Sequence, residues 1–263
     1  PVASYGPNTS ASQSVPFPTW GQPIADQLAG SSIAWYTGLR VPESIQGTYQ
    51  AALNTRGEPD GMPSRFDMSY LKQYWFDPAR MMARYSQDHP ALKGIIHDWD
   101  THINRDARTY SMTDAFEDEN FRYFVRYLAK NGLYRGDEFK TMKKLERQER
   151  FEWLMKSGYL EAYFQILESN AEKLGQLYRQ TIDAINPALH HGAFVRTLHL
   201  SWFDIGFWRG VGTPDRPFIV MTYERPPEWY STFLSEQGVP VRIVPVGLLG
   251  LMNEDNAADV LQT

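Results

Sequence analysis

Residues 93–102, K-G-I-I-H-D-W-D-T-H, join a short apolar run directly to carboxylates and histidines. The run predicts a buried β-strand, along which side chains alternate between two faces. Asp98 and Asp100 are therefore expected on one face, with His97 and Trp99 on the other. Carboxylates at the end of a buried strand are costly unless paired or used, and active sites of alternating β/α proteins lie at this end. The alternative is a pair of loop acids that cap the next helix or hold an arginine.

The composition is that of an ordinary globular protein with an ample core. The chain has 263 residues, 42% of them hydrophobic, and a net charge of -5, which fits one large domain or two small ones. This charge excludes a polybasic nucleic-acid surface, and no apolar run approaches the length of a membrane span. Without cysteine, the chain can form neither a disulfide framework nor a thiolate metal site. Aromatic residues make up 14% and suit sugar stacking, cores and interfaces alike.

The two ends of the sequence bear on its cellular location. The chain starts at Pro1 with no signal peptide ahead of it, and residues 257–263 read like the start of a helix. We therefore expect a processed or partial chain. The sequon Asn8-Thr9-Ser10 would be used only in a secretory setting, so we predict a secreted or periplasmic protein.

Several segments have the composition of buried strands, and helical patterns separate most of them. They are residues 32–37, 94–100, 193–200, 217–223 and 241–246. A rhythm of strand, helix and strand favours parallel pairing and α/β architecture. We predict a (β/α)8-type barrel that is incomplete in this chain, and the alternative is an open sheet. A partner chain or missing segments would complete the barrel.

The domain organisation follows from the same patterns. Residues 1–30 are predicted to form an irregular N-terminal arm, and residues 31–263 a single barrel-like α/β domain. Residues 113–185 are predicted to be an enlarged helical crossover between two barrel strands, packed outside the sheet. We also predict a short helix at 42–53 and a turn rich in Trp and Gly at 201–212. The aromatic residues of the crossover are expected to face the sheet or one another: Phe121, Phe124, Trp153, Tyr163 and Phe164.

Polar or aromatic residues end four of the predicted strands, which is typical of a site assembled at one edge of a sheet. Two carboxylates, one protonated and one ionised, can cleave a glycosidic bond, and aromatic rings can stack on sugars. The predicted catalytic residues are Asp98, Asp100 and Glu224. The predicted substrate-binding residues are Trp35, Tyr36, Trp99, His199, Trp202, Asp204 and Tyr223.

Two of these strand ends resemble motifs of the family 18 glycoside hydrolases, the chitinase-like barrels. Residues 94–100, G-I-I-H-D-W-D, are similar to the D-G-x-D-x-D-W-E strand of that family, and residues 220–224, V-M-T-Y-E, to its later M-x-Y-D strand end. The resemblance implies a TIM barrel that processes polysaccharide. It would place Asp100 at the acid position and Asp98 at the supporting carboxylate. Tyr223 and Glu224 would orient the acyl group of the substrate.

The residues themselves suggest how the acids would divide the work. Asp100 is the candidate general acid, because an apolar wall of Trp99 and Trp202 would raise its pKa. Glu224 is the candidate partner that stays ionised, and Asp98 would hold or share the proton of Asp100. We therefore predict a glycoside hydrolase acting on a polysaccharide or oligosaccharide, without a cofactor.

Two alternatives remain open. One is a non-catalytic carbohydrate-binding barrel or a structural subunit of a larger assembly, favoured by Ile96 and Asp100, which differ from the family 18 pattern. The other is a metal site formed by His97 and His102 with Asp98 and Asp100. Alternation along a regular strand disfavours the metal site, because it directs His97 away from the carboxylates.

Overall fold

A six-stranded sheet, parallel at every pair of neighbours, forms the centre of the protein. In spatial order its strands are β1 (Val2–Ser4), β2 (Trp35–Leu39), β5 (Leu92–Asp98), β6 (His190–Val195), β7 (Phe218–Thr222) and β8 (Val241–Pro245). A separate antiparallel hairpin is formed by β3 (Ala51–Leu53) and β4 (Pro59–Pro63). The computed structural model describes residues 2–4, 17–39, 41, 47–99, 114–134, 136–195, 200–222 and 228–245.

Helices occupy the intervals between the strands. They are α1 (Phe17–Leu28), α2 (Met68–Leu71), α3 (Asp77–Asp88), α4 (Asp118–Asn131), α5 (Glu138–Met142), α6 (Arg150–Ser157), α7 (Leu160–Asp183), α8 (Trp202–Val211) and α9 (Glu228–Glu236). A π-helical turn, Lys72–Phe76, joins α2 to α3, and a 3-10 turn, Arg147–Glu149, precedes α6. None of the described helices is both long and apolar enough to cross a membrane.

The spatial order of the six strands follows their order along the chain. Parallel connections are almost always right-handed, so an order that never reverses places the connecting helices on one face of the sheet. A doubly wound sheet, in contrast, reverses its order and carries helices on both faces. The observed order is therefore the one found in (β/α)8 barrels. The prediction that the five segments lie parallel in one sheet is confirmed.

The two faces of the sheet differ in what covers them. His97 of β5 packs among the rings of Trp75 and Phe207, which come from the helical layer. The opposite face, which we call the Ile96 face, has a smaller buried cluster to which no described helical side chain belongs. Its members by strand register are Tyr36, Gly38, Gly94, Ile96, Asp98, His190, Gly192, Phe194, Ile219, Met221, Arg242 and Val244.

The side chains of Tyr36 and Arg242 come within electrostatic range of each other over the Ile96 face. Burial raises the pKa of Tyr36 in β2, and Arg242 in β8 is close enough to oppose that shift. Three strands separate these residues, so a flat sheet would hold their backbones about 19 Å apart. A glycine lies where the Tyr36 ring crosses the sheet, because a Cβ at Gly94 would be 2.6 Å from Tyr36 Cδ1. The Tyr36 ring therefore lies over β5, which shortens its distance to Arg242.

Three local predictions are wrong. The predicted irregular arm, residues 1–30, contains β1 and α1; a three-residue strand is too short to show alternation in a sequence. Residues 51–53 of the predicted helix at 42–53 form β3 instead, which pairs with β4 in a hairpin. The predicted turn at 201–212 is the helix α8, which a capping box at Ser201 starts.

The glycines of α8 led to the prediction of a turn, but in the structure they allow the helix to pack closely against α7. A Cβ at Gly206 would collide with the carbonyl oxygen of Glu168, and one at Gly210 with that of Glu172. Two backbones approach this closely only where one of them lacks side chains. Arg209 fixes the pair further, since its guanidinium contacts Glu168 at 2.7 Å and Glu172 at 2.9 Å.

Helices α4 to α7 lie between β5 and β6, within the predicted crossover at 113–185. Phe121, Phe124, Tyr163 and Phe164 contact one another at ring distances of 5.1 to 6.2 Å, as predicted. Trp153 stacks instead on Tyr159, at 5.7 Å. Gly132 and Gly158 adopt the left-handed conformation and end α4 and α6. That this crossover belongs to a single domain stays a prediction.

Candidate functional site

Asp98 is the last residue of β5 and lies at the carboxyl edge of the sheet. It belongs to the Ile96 face, where its register partner on β6 is Phe194. Its strand, β5, is flanked on both sides, by β2 and β6, and only 5% of the residue is exposed. The strand ladder continues past it, because the Trp99 N–H donates to the Phe194 carbonyl at 2.9 Å. A carboxylate therefore stands at the position that the strand pattern predicted, on the face without described helices.

His97 points away from Asp98, as alternation predicted. It is 2% exposed, and its ring lies 5.0 Å from Trp75 and 5.2 Å from Tyr178. Burial lowers the pKa of His97 to about 3, and Arg65 acts in the same direction. This histidine is therefore neutral at physiological pH. The described residues contain no group of three or more His, Asp or Glu side chains that could hold a metal ion. Asp100 and His102, the other predicted ligands beside Asp98, lie outside the described residues.

Trp99 does not line the face that carries Asp98. It is 3% exposed and stacks on Trp208, with the ring centroids 6.0 Å apart and the planes 14° from parallel. Because Trp99 follows His97 by two residues, both rings enter the helical layer. The prediction that Trp99 stacks on a sugar and forms an apolar wall beside Asp100 is not supported by this placement.

Trp35 and Tyr36 lie at the opposite edge from Asp98. The first long strand spans Trp35–Leu39, beginning three residues and ending two residues later than predicted, so both side chains are at its amino end. Trp35 is fully buried, which leaves no surface for a sugar. Tyr36 is half-buried on the Ile96 face. Neither residue is therefore placed to bind a substrate at the carboxyl edge.

Trp202 and Asp204 begin α8 rather than ending a strand. Trp202 is 8% exposed and stacks on Phe66, at 6.2 Å between ring centroids. The Asp204 carboxylate accepts hydrogen bonds from the Ser201 N–H at 3.0 Å and from the Ser201 hydroxyl at 2.9 Å. Asp204 thus holds the first turn of the helix, and its 1% exposure leaves it no open surface for a substrate.

The buried environment of Asp204 nevertheless makes its carboxyl group an unusually weak acid. Burial raises the pKa of Asp204 to about 6, while Arg65 and the hydrogen bonds from Ser201 act in the opposite direction. Within the described part of the chain, Oδ1 of this carboxyl has no hydrogen-bond partner. A helix cap that is half-protonated near pH 6 is therefore built into the core beside the sheet.

Arg65 is the buried charge that the sequence did not single out. It is 3% exposed, and its guanidinium lies over three aromatic rings, at 5.9 Å from Trp75, 5.5 Å from Trp99 and 5.0 Å from Phe203. Arg65 follows a Gly- and Pro-rich loop, where a sequence gives no sign of burial. Such cation–π contacts join distant parts of the chain, and no local pattern predicts them.

Four predicted site residues lie outside the described part of the structure. They are Asp100, His199, Tyr223 and Glu224. The structure thus places Asp98 at the carboxyl edge, with Trp202 and Asp204 in the helix that follows β6. Trp35 and Tyr36 lie at the other edge, and the Trp99 side chain points into the helical layer.

Two solved structures are similar to this chain. The first, of an exo-β-agarase, is 14% identical, with a TM-score of 0.48, and the match covers 89% of this chain and 36% of the agarase. The second, also of an agarase, is 15% identical, with a TM-score of 0.48, and covers 89% of this chain and 37% of the other. This chain therefore spans about a third of the length of the agarases that it matches. No family model and no curated protein matches the sequence.

Proposed function

We propose that this protein binds a polysaccharide at the carboxyl edge of its sheet and hydrolyses glycosidic bonds there. The observation that carries the proposal is the position of Asp98. It ends an interior strand, is almost completely buried, and belongs to the face without described helices. In a sheet whose strands follow chain order, this edge is where β/α enzymes place their catalytic groups.

In this proposal three carboxylates divide the chemistry. Asp100 donates a proton to the leaving oxygen, and Glu224 stays ionised and supports the opposite side of the sugar. Asp98 holds or shares the proton of Asp100. Sugar contacts are assigned to His199 and Tyr223, because the burial of Trp35, Trp99, Trp202 and Asp204 assigns those four side chains to the core.

A non-catalytic carbohydrate-binding or structural protein is the second candidate. One observation favours it: the residue that precedes Asp98 on the same face is Ile96, which is fully buried in an apolar cluster. The family 18 pattern has an acid at that position, so any hydrolysis here would not use that family's full set of carboxylates. A protein of this kind would bind a glycan without cleaving it.

Turnover and affinity, measured separately, distinguish the two candidates. Wild type, Asp98→Asn, Asp100→Asn and Glu224→Gln would be assayed on a panel of polysaccharides that includes agarose and chitin, with reducing ends as the readout. We expect Asp100→Asn to lose about 10²- to 10⁴-fold in rate while keeping its affinity for the glycan. Asp88→Asn, an exposed acid at the end of α3, serves as the matched control and should behave as wild type.

Two outcomes would count against the enzyme. Unchanged turnover in Asp98→Asn, Asp100→Asn and Glu224→Gln would exclude these residues as the catalytic set. Saturable glycan binding by the wild type, without release of reducing ends from any polymer, would establish the binding protein instead.

A further inference from the structure

Three hydrogen-bond donors meet at the amino end of the Ile96 face. Tyr36 and His190 flank Gly94 in the strand register, and their ring centroids are 6.3 Å apart. Arg242 belongs to the same face and lies within electrostatic range of both rings. Because Gly94 has no side chain, the tyrosine ring can lie across this strand toward His190.

The electrostatic field at this place is positive. Four cations act on the half-buried His190, namely Arg179, Arg216, Arg242 and Lys93, and no described carboxylate is among the groups that act on it. Arg179 and Arg216 are held by Asp183, at 3.0 Å and 2.9 Å. Lys93 and Arg242 are exposed and form no ion pair with any described residue. Among the described residues, Lys93 and Arg242 therefore have no counter-ion.

We propose that Tyr36, His190 and Arg242 form a binding site for a tetrahedral oxyanion, a phosphate or sulfate group. The guanidinium of Arg242 offers a planar pair of N–H donors, which suits two oxygens of such a group. The Tyr36 hydroxyl and one imidazole nitrogen of His190 supply further donors. Lys93 adds charge at the mouth of the site.

This site is separate from the proposed catalytic edge. Gly94 pairs with His190 and Asp98 pairs with Phe194, so the two rows are four residue steps apart along the strand, about 13 Å. The row between them contains the buried residues Ile96, Gly192 and Ile219, with Arg242 as its member on β8. A test of the anion site is consequently independent of whether the protein is a glycosidase.

The pH dependence of binding follows from His190. Burial lowers the pKa of this histidine, and the surrounding cations lower it further. A bound anion favours the imidazolium, so it raises the pKa of His190, and by linkage the affinity increases as the pH falls. The other charged groups around the histidine are Lys93, Arg179, Arg216 and Arg242, with Asp183 already engaged by two of them.

The test uses the whole chain and sodium sulfate, because sulfate does not titrate between pH 5 and 8. Histidine side-chain NMR would follow the six histidines with and without sulfate, with His190→Gln identifying the resonance. We expect the pKa of His190 to rise by about one unit at saturation. Calorimetry at pH 6 and pH 7.5 should show tighter binding at pH 6. Inorganic phosphate and glucose 6-phosphate, run at a fixed pH, distinguish a site for the free ion from one for a sugar-borne ester.

Arg242→Gln provides the decisive variant, because the residue is exposed and its loss leaves the core intact. We expect at least a tenfold weaker affinity, since a charged donor typically contributes about that factor or more. Arg126→Gln is the matched control: Arg126 is an exposed arginine of α4 that forms no ion pair with a described residue. Absence of saturable binding by all three anions would overturn the proposal. Equal losses in Arg242→Gln and Arg126→Gln would overturn it as well, because binding would then follow overall charge.

Discussion

Two histidines buried beneath the sheet link the stability of this protein to pH. His97 and His191 lie on either side of Tyr178, at ring distances of 5.2 Å and 5.5 Å. Burial lowers the pKa of both groups, that of His97 to about 3 and that of His191 well below its ordinary value. Their stabilising effect is therefore complete above about pH 6.5 and is lost as the pH falls, because the unfolded chain then binds protons that the folded chain excludes.

Asp204 acts in the opposite direction. Burial raises the pKa of its carboxyl group to about 6, so the stability that it contributes is fully present below the unfolded pKa and is lost as the pH rises through 6. Two histidines nevertheless outweigh one carboxyl group. The net expectation on acidification is a loss of stability.

We predict that the free energy of unfolding decreases as the pH falls from 6.5 to 4.5. Each buried histidine contributes about 1.4 kcal/mol per pH unit to this slope. Urea unfolding at several pH values would measure it. His97→Gln should reduce the slope by about that amount, whatever its effect on stability at pH 7.5. His89→Gln is the control, because His89 is partly exposed and stacks on Tyr85. A slope that is equal in wild type and His97→Gln would contradict the prediction.

At the scale of the element, the contact between α7 and α8 depends on glycine. The collisions expected at Gly206 and Gly210 involve carbonyl oxygens of α7, which cannot rotate away as a flexible side chain would. Gly175 of α7 has the reciprocal position, where a Cβ would meet the Phe207 carbonyl. Close packing of the two helices therefore requires glycine at these three positions, although glycine lowers the intrinsic stability of a helix compared with alanine.

We predict that Gly206→Ala destabilises the protein by about 1 to 3 kcal/mol, the usual cost of overpacking. Alanine is the better helix former by about 1 kcal/mol, so the sign of the change separates the two effects. Thermal and urea unfolding would measure it. Stabilisation of Gly206→Ala would show that the helices are farther apart than this structure has them.

The same elements show what a sequence can and cannot predict. Alternation placed Asp98 and His97 on opposite faces correctly, because burial fixes the register of a strand. It failed at Trp35 and Tyr36, because the strand begins at Trp35 rather than at residue 32, which puts both side chains at its amino end. It also failed at Gly206, since a glycine that permits helix contact looks the same as one that forms a turn. Arg65 was missed because its aromatic neighbours are distant in sequence.

At the scale of the whole molecule, the parallel order of the strands predicts a curved sheet. A sheet wound in one direction keeps its helices on one side, and the right-handed twist of its strands then curls it around the other side. We expect the Ile96 face to be the inside of that curve. Both sites proposed here, at opposite ends of this face, depend on the curvature, since a flat sheet would spread their residues apart.

We predict that Tyr36→Cys and Arg242→Cys, combined in one chain, can be cross-linked by a bifunctional maleimide too short to span four strand spacings, about 19 Å. The wild-type sequence contains no cysteine, so the reaction reports this pair alone. In the curved sheet the two thiols face the same hollow, and an intramolecular product should form in high yield at low protein concentration. The same chain unfolded in urea, and each single-cysteine variant, provide the controls, in which the intramolecular product should be scarce or absent. If the folded double variant reacts no better than the unfolded one, the sheet is flat, and Arg242 cannot share an anion with Tyr36.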